Sequence, residues 1–298
     1  MSARSLHTFL LLAAASFVTP GPPPARSESS ALDSMIATER AFSALSVEKG
    51  MKEAFLTFLD EEGMIFRPTA TNGKNVWKDR PVSKATLIWE PEFAEMSAAG
   101  DLGYTTGPWE FRPPAERADA PVAHGHFITM WRKQPDGSYR AIADIGISHE
   151  KPARGGVGSG ALRTGPAHGA PPAKPPRTSV STLFGLDREF AARTRTVSIA
   201  QAFQANAASD VRLNLEGTEP RLGRMDALAA LDTLAGHFAA FPTGGGVSSS
   251  GDLGYSYGTL RRFAGKAKAA ADTSVYLNVW RHDAMRWELA LSVMNPTR

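Results

Sequence analysis

Helical spacing governs the first part of the chain. Met35, Thr38, Phe42 and Leu45 recur at intervals of three and four residues, which places them on one helix face with Thr38 the only polar member. Ser30, three residues before Asp33, offers the side-chain oxygen that satisfies free amides at a helix start. Gly50 interrupts, residues 52–59 make a second short amphipathic helix, and Asp60, Glu61 and Glu62 followed by Gly63 read as its solvated end. A strand at 64–66 stops at Pro68, and a third helical piece is expected at 82–89, closed by Pro91. The period then changes to two. Strands are expected at 93–96, 102–111, 122–133 and 139–148, joined by a turn at Ala99, Gly100 and Asp101, a polar loop at 112–121 and a hairpin turn at 135–138. Helices followed by an antiparallel meander make an α+β fold with the helices on one face of the sheet.

The same plan occurs twice. GDLGYTTG at 100–107 returns as GDLGYSYG at 251–258, and each is followed by an aromatic strand ending in Trp-Arg, at Trp131-Arg132 and Trp280-Arg281. Glu39, Phe42, Ala54 and Phe55 match Asp187, Phe190, Ala202 and Phe203 at a constant offset of 148 residues. The chain is a tandem duplication. In the second copy 212–215 takes the place of the first strand, 225–238 is expected as the third helix, and the Gly-rich run 242–251 reads as a flexible loop. That run lacks the Lys-Ser/Thr a phosphate-binding loop requires. Between the copies, residues 151–177 hold 12 Gly or Pro and almost nothing large and apolar, too little to offset the entropy of ordering. The domain plan is therefore a leader at 1–27, a first domain at 28–150, a disordered linker at 151–180 and a second domain at 181–298.

Charge alters this picture only at the ends of the domains. The net charge is +3, but residues 151–177 carry five basic side chains and no acidic one, so much of the basic excess belongs to the linker. Neither domain offers the basic face that nucleic acid requires, and none is expected as a partner. The first 27 residues resemble a secretory signal: Arg4 precedes an apolar stretch at 8–18 that is too short to span a bilayer, with Ala25 and Ser27 ahead of a cut at Glu28. A periplasmic or secreted protein is the expectation, with no membrane contact once the signal is removed; an uncleaved N-terminal anchor is the alternative. With no cysteine the chain has neither disulfides nor a lipid-attachment thiol.

GDLGYTTG with TMWRKQPDGSYRAIADI in the first copy, and GDLGYSYG with NVWRHDAMRWELAL in the second, resemble the nuclear transport factor 2-like superfamily, within it the SnoaL-like, ketosteroid isomerase-like domains of unknown function. The resemblance spans nearly all of each domain. It implies two cone-shaped domains, each a curved antiparallel sheet wrapped around N-terminal helices, with an apolar pocket at the open end. It fixes no reaction, because such domains include isomerases, dehydratases, cyclases and plain binding modules. Gly223 fits the glycine usual before the third helix, whereas the first copy has Asp79, Arg80 and Pro81 there; Trp287 fits a usual tryptophan that the first copy replaces with Tyr139 and Arg140. No isomerase's full set of carboxylate and oxyanion donors can be laid onto either copy.

Candidate chemistry follows from strand parity. With the hairpin turn centred on Asp136 and Gly137, Trp131 opposes Ile142, Thr129 opposes Asp144 and Phe127 opposes Gly146. One face then holds Phe127, Thr129, Trp131, Ile142 and Asp144, and the other His126, Ile128, Met130, Ala143, Ile145 and Ile147. Asp144 is the candidate catalytic carboxylate, since an apolar cavity would raise its pKa and fit it for general base or donor work. The competing reading is a solvent-facing residue paired with Thr129 or Arg140. Its counterpart in the second copy is Leu291 or Ser292, neither acidic, and Val275 replaces His126. The second domain is therefore expected to be the more stable and the poorer catalyst. Tyr104, Trp109, Phe127, Thr129, Trp131 and Tyr255 are the candidate ligand-lining residues, with core packing as the alternative for the motif aromatics. His124 and His126 could share a metal, but no third ligand lies near, so neither a metal nor a cofactor is expected. The functional expectation is binding of a small apolar or amphipathic molecule, with a cofactor-independent isomerase, dehydratase or cyclase using Asp144 as one alternative. The other is an interaction protein whose domains pair through their sheets, within one chain or as a homodimer.

Overall fold

The computed structural model describes residues 30–152, 155–166, 178–265, 269–283 and 285–297. The expected leader at 1–27 and much of the linker lie outside them. Among the described residues no helix is long and apolar enough to cross a membrane.

Ser30 caps α1 (Ala31–Lys49) by accepting the Asp33 amide at 3.1 Å. The buried face of α1 is rotated from the expected one: Met35, Glu39, Phe42 and Ser46 point inward, with Thr38 and Leu45 at its margins. The rotation brings polar groups to the sheet, where Ser43 and Ser46 donate to the carbonyls of Trp89 and Leu87. After α2 (Met51–Phe58) the acidic run does not end a helix. It lies within β1 (Leu59–Phe66), where Asp60 is buried and accepts from Arg132 and Gln134, both at 3.1 Å. β2 (Ala70–Asn72) precedes α3 (Gly73–Asp79), and the expected helix at 82–89 is replaced by β3 (Thr86–Trp89). Leu87, Ile88 and Trp89 find strand partners in β5, which helical spacing within so short a segment does not reveal.

β4 (Phe93–Met96), β5 (Leu102–Arg112), β6 (Ala123–Lys133) and β7 (Tyr139–His149) form the expected meander, and β1 joins β7 in parallel. The linker is not wholly disordered as expected. Its β8 (Arg163–Thr164) extends the sheet beside β4, with Arg163 and Gly165 amides donating to the carbonyls of Glu92 and Ala94 at 2.9 Å. Backbone pairing supplies there what side-chain burial does not.

The second domain repeats the order: α4 (Val180–Arg193), α5 (Ile199–Gln204), β9 (Ala207–Leu215), β10 (Arg221–Leu222), α6 (Arg224–Leu231), then β11 (His237–Val247), β12 (Leu253–Phe263), β13 (Asp272–His282) and β14 (Trp287–Pro296). Its third helix is thus shorter than expected, and most of the expected loop at 242–251 is the second half of β11, paired with β12. Glycine is used there for close approach: a Cβ on Gly244 would sit 2.2 Å from the Tyr257 ring. Each domain is α+β, a curved, mainly antiparallel sheet over N-terminal helices.

Each sheet has two apolar faces. One packs on its own helices, around Phe42, Phe55, Trp89 and Trp131 in the first domain and around Phe190, Phe203, Trp280 and Trp287 in the second. The other faces meet. Ile128, Met130, Ile145 and Ile147 share a core with Leu277, Val279, Leu291 and Val293. The repeated GDLGY stretches pin this contact reciprocally: Asp101 accepts the Ser249 amide and Asp252 accepts the Ala98 amide, both at 2.8 Å. Within each turn a serine, Ser97 or Ser248, donates to the same aspartate at 2.9 Å and holds it in place. Gly100 and Gly251 occupy the left-handed region, at φ 68 and 71, that makes both turns possible. A buried ion pair adds to the contact, with Arg281 3.2 Å from Glu95, which also accepts from Tyr104.

Candidate functional site

A cavity of about 660 Å³ opens between the helices and the sheet of the first domain. Phe55, Trp77, Leu87, Trp89, Trp109 and Phe127 supply its apolar wall. α2 and α3 bring Phe55 and Trp77 together as a stacked pair with centroids 4.4 Å apart. β3, β5 and β6 deliver the other side of the wall. Its polar groups are few: Asp144 from β7, Arg67 just after β1, Arg80 just after α3, and Ser83. Glu216 and Asn295 of the second domain complete one edge, anchored to β7 where Glu216 accepts the Ser148 amide and Asn295 donates to the Gly146 carbonyl.

Asp144 is enclosed by protein, and the part of its surface that remains accessible belongs to the cavity wall. Burial pushes its carboxyl up to about 6, against the pull of a 3.0 Å hydrogen bond from Thr129 and the positive charge of Arg67. It is therefore divided between acid and carboxylate near neutral pH, able to accept or donate a proton at the same oxygen.

A second carboxyl, which the spacing argument passed over, lies deeper. Glu39 on α1 is fully buried and accepts from the indoles of Trp89 and Trp131 and from the Thr105 hydroxyl. Burial pushes it up to about 7, opposed by the hydrogen bonds from Thr105 and Trp89, with the charge of Asp144 acting in the same direction as burial. Its counterpart Asp187 accepts from Tyr276 and Asn278, both at 2.9 Å, and is likewise raised by burial. The signal was present in the sequence: an acidic residue lay at the same place in both copies, four residues after Met35 and three before Phe42.

The expected lining residues separate into groups. Trp109, Phe127 and Asp144 line the cavity. Trp131 does not; it is fully buried behind the wall, its indole committed to Glu39 and Thr105. Thr129 is buried too and acts through Asp144. Tyr104 and Tyr255 are displaced furthest, into the core between the two sheets, because strand alternation turns both to the face opposite the helices. Ile142 also moves to that core: a bulge between Met130 and Trp131 pairs Trp131 with Ala141 and shifts parity by one. His126 faces away from the cavity and lies 2.9 Å from His149, where burial pushes its pKa down to about 3. Among the described residues no group of three or more His, Asp or Glu is placed to hold a metal ion.

In the second domain the corresponding space is reduced to about 10 Å³ against Phe203, Trp280 and Leu289. Pairing of Asn278 with Ser292, as Thr129 pairs with Asp144, makes Ser292 the positional counterpart of Asp144. Ser292 is buried and donates to Asn278 at 2.7 Å.

In each copy helices precede an antiparallel meander, and solved structures described as NTF2-like, cystatin-like or ketosteroid isomerase-like are similar to part of the chain. Similar solved structures cover about one domain of this chain. One is a protein of unknown function with a cystatin-like fold from Nostoc punctiforme, 16% identical, covering 40% of this chain and 93% of its own at a TM-score of 0.34. Another is an NTF2-like protein of unknown function from Pseudomonas putida, 16% identical, with 39% and 84% covered and a TM-score of 0.32. A ketosteroid isomerase-like protein from Erwinia carotovora atroseptica is 16% identical, with 40% and 95% covered and a TM-score of 0.31. No family model matches the chain. No curated protein matches it significantly.

Proposed function

We propose that the chain is an exported binding protein whose first domain takes a small amphipathic molecule into its cone. The observation that carries this reading is the contrast between the copies: about 660 Å³ lined by aromatic side chains in one, about 10 Å³ in the other. A cavity of that volume, mostly apolar with a few convergent polar groups, has the character of a small-molecule site. The second domain serves as a packed partner that covers the back of the first sheet and contributes Glu216 and Asn295 to the rim. The two domains act as one intramolecular pseudo-dimer.

Titration of the exported chain with a series of small aromatic and aliphatic compounds, followed by tryptophan fluorescence, tests the reading. Saturable quenching that Trp109→Ala and Phe127→Ala weaken is the expected result. Saturation left unchanged by both substitutions would place binding elsewhere. Proton transfer on a bound carbonyl compound is a second reading, favoured by one observation, the raised pKa of Asp144 inside the cavity. Solvent-deuterium exchange at carbons next to the carbonyl of a bound ketone, lost in Asp144→Asn, distinguishes catalysis from binding.

A further inference from the structure

The cavity has mostly apolar walls, but Arg67 and Arg80 bring two positive charges to its lining, while the carboxylate of Glu216 at its edge is held by the Ser148 amide. Arg67 and Arg80 both line it, and among the described residues neither guanidinium forms an ion pair. Crowding by protein and then the positive charge of Arg80 push the Arg67 pKa down. Arg80 rests on the Trp77 ring, its guanidinium carbon 4.9 Å from the centroid, which fixes a cation at the edge of the aromatic wall. Trp77, itself 4% exposed, has an indole N–H with no hydrogen-bond partner. The charge of Asp144 acts on Arg67 in the opposite direction, and burial raises the Asp144 carboxyl to about 6.

Two neighbouring guanidinium groups without counterions repel each other, and this costs stability unless something else brings the negative charge. A surface exposed only to water has no need of such a pair. Among the described residues the arginines that pair with carboxylates do so elsewhere, as Arg132 does with Asp60 and Arg281 with Glu95 and Asp210. Guanidinium is the side-chain group best shaped to take a carboxylate on two parallel N–H donors. Apart from Arg67 and Arg80 the lining is mostly aromatic and aliphatic and holds no further cation, so most of the rest of the ligand is apolar.

From the proposed binding role of this cavity, we infer that its ligand is an amphipathic carboxylate: a single carboxylate held between Arg67 and Arg80, with an aromatic or aliphatic body against Trp77, Trp89, Trp109 and Phe127. Asp144, in the same lining, then meets a neutral polar group of the ligand, a carbonyl or hydroxyl, in preference to a second anion.

Calorimetric titration of the full exported chain at pH 7 with cinnamate and with its neutral isostere cinnamamide tests this. Cinnamate is expected to bind about tenfold more tightly than the amide, the scale of one charge-assisted hydrogen-bonded contact. Arg67→Gln and Arg80→Gln should each reduce that preference and the double variant should abolish it, the ratio of acid to amide affinity being read on each variant. Arg67→Lys should keep part of it, and thermal melts of all variants establish that they are folded. Equal affinity for acid and amide would overturn the inference and leave the cavity as a binding site. A preference that survives Arg67→Gln with Arg80→Gln would also overturn it. Inorganic phosphate binding as tightly as cinnamate, and displacing it, would mean a bare anion site and refute the amphipathic assignment. Failure of both compounds to bind at millimolar concentration would overturn the inference together with the binding role on which it rests.

Discussion

Asp144→Asn isolates the electrostatic cost of the cavity carboxyl. Raising that group from its ordinary 3.8 to about 6 means the folded chain holds the proton more tightly than the unfolded chain does. At about 1.4 kcal/mol per pH unit this amounts to about 3 kcal/mol of stability that is present below pH 4 and lost as pH rises through 6. Access of cavity water screens part of the cost, leaving about 2 kcal/mol. Asparagine has nearly the same shape, is neutral at every pH and can still accept from Thr129, so it removes the titration and little else. The variant should therefore match the parent chain near pH 3.5 and exceed it by about 2 kcal/mol at pH 8, a gain of several degrees in Tm. Urea unfolding of both proteins at five or six pH values measures the difference, which includes the part of the Glu39 titration that the charge of Asp144 causes. A difference that is constant across the range, or absent at pH 8, would show that Asp144 does not titrate abnormally. The acid-base reading would then lose its basis.

Other outcomes follow from the same contacts. Glu39→Ala should destabilise the chain by about 3–5 kcal/mol in urea unfolding, since it leaves the Trp89 indole and the Thr105 hydroxyl without their acceptor and the Trp131 indole with Thr105 alone. Asp101→Ala and Asp252→Ala each remove a reciprocal bond across the domain contact, and each should cost about 1–2 kcal/mol, with amide exchange accelerated at Ser249 and Ala98 respectively. Either domain produced alone exposes its half of the core containing Ile128, Ile145, Leu277 and Val293, so sedimentation should show self-association in place of a stable monomer. Within that experiment the second domain, with its filled cone, is expected to melt above the first. Small-angle scattering of the whole chain should fit one compact particle and not two uncoupled ones.

The duplication, the order of helices before strands and the α+β class were legible in the sequence because they rest on local periodicity and on self-similarity. The pairing of Thr129 with Asp144 was expected and is found, but a bulge between the turn and that pair produces it, and which way Asp144 faces was left open by the sequence. The rest depended on what lies across a surface. Alternation separates Phe127 from Ile128 but does not say that a second sheet covers Ile128, so the motif tyrosines were indistinguishable from pocket residues. A one-residue bulge reversed the parity of Ile142, and nothing local marks where a ladder slips. Glu39 is a hydrogen-bond acceptor for side chains 50, 66 and 92 residues away, a role created only when three strands converge on α1. β8 and the second half of β11 are strands because a partner edge is available, not because of their side chains. The cavity is decided in the same way. Its volume is the mismatch between one helix layer and one curved sheet, a difference between long-range packings that the same pattern of residues fills in the second copy and leaves open in the first.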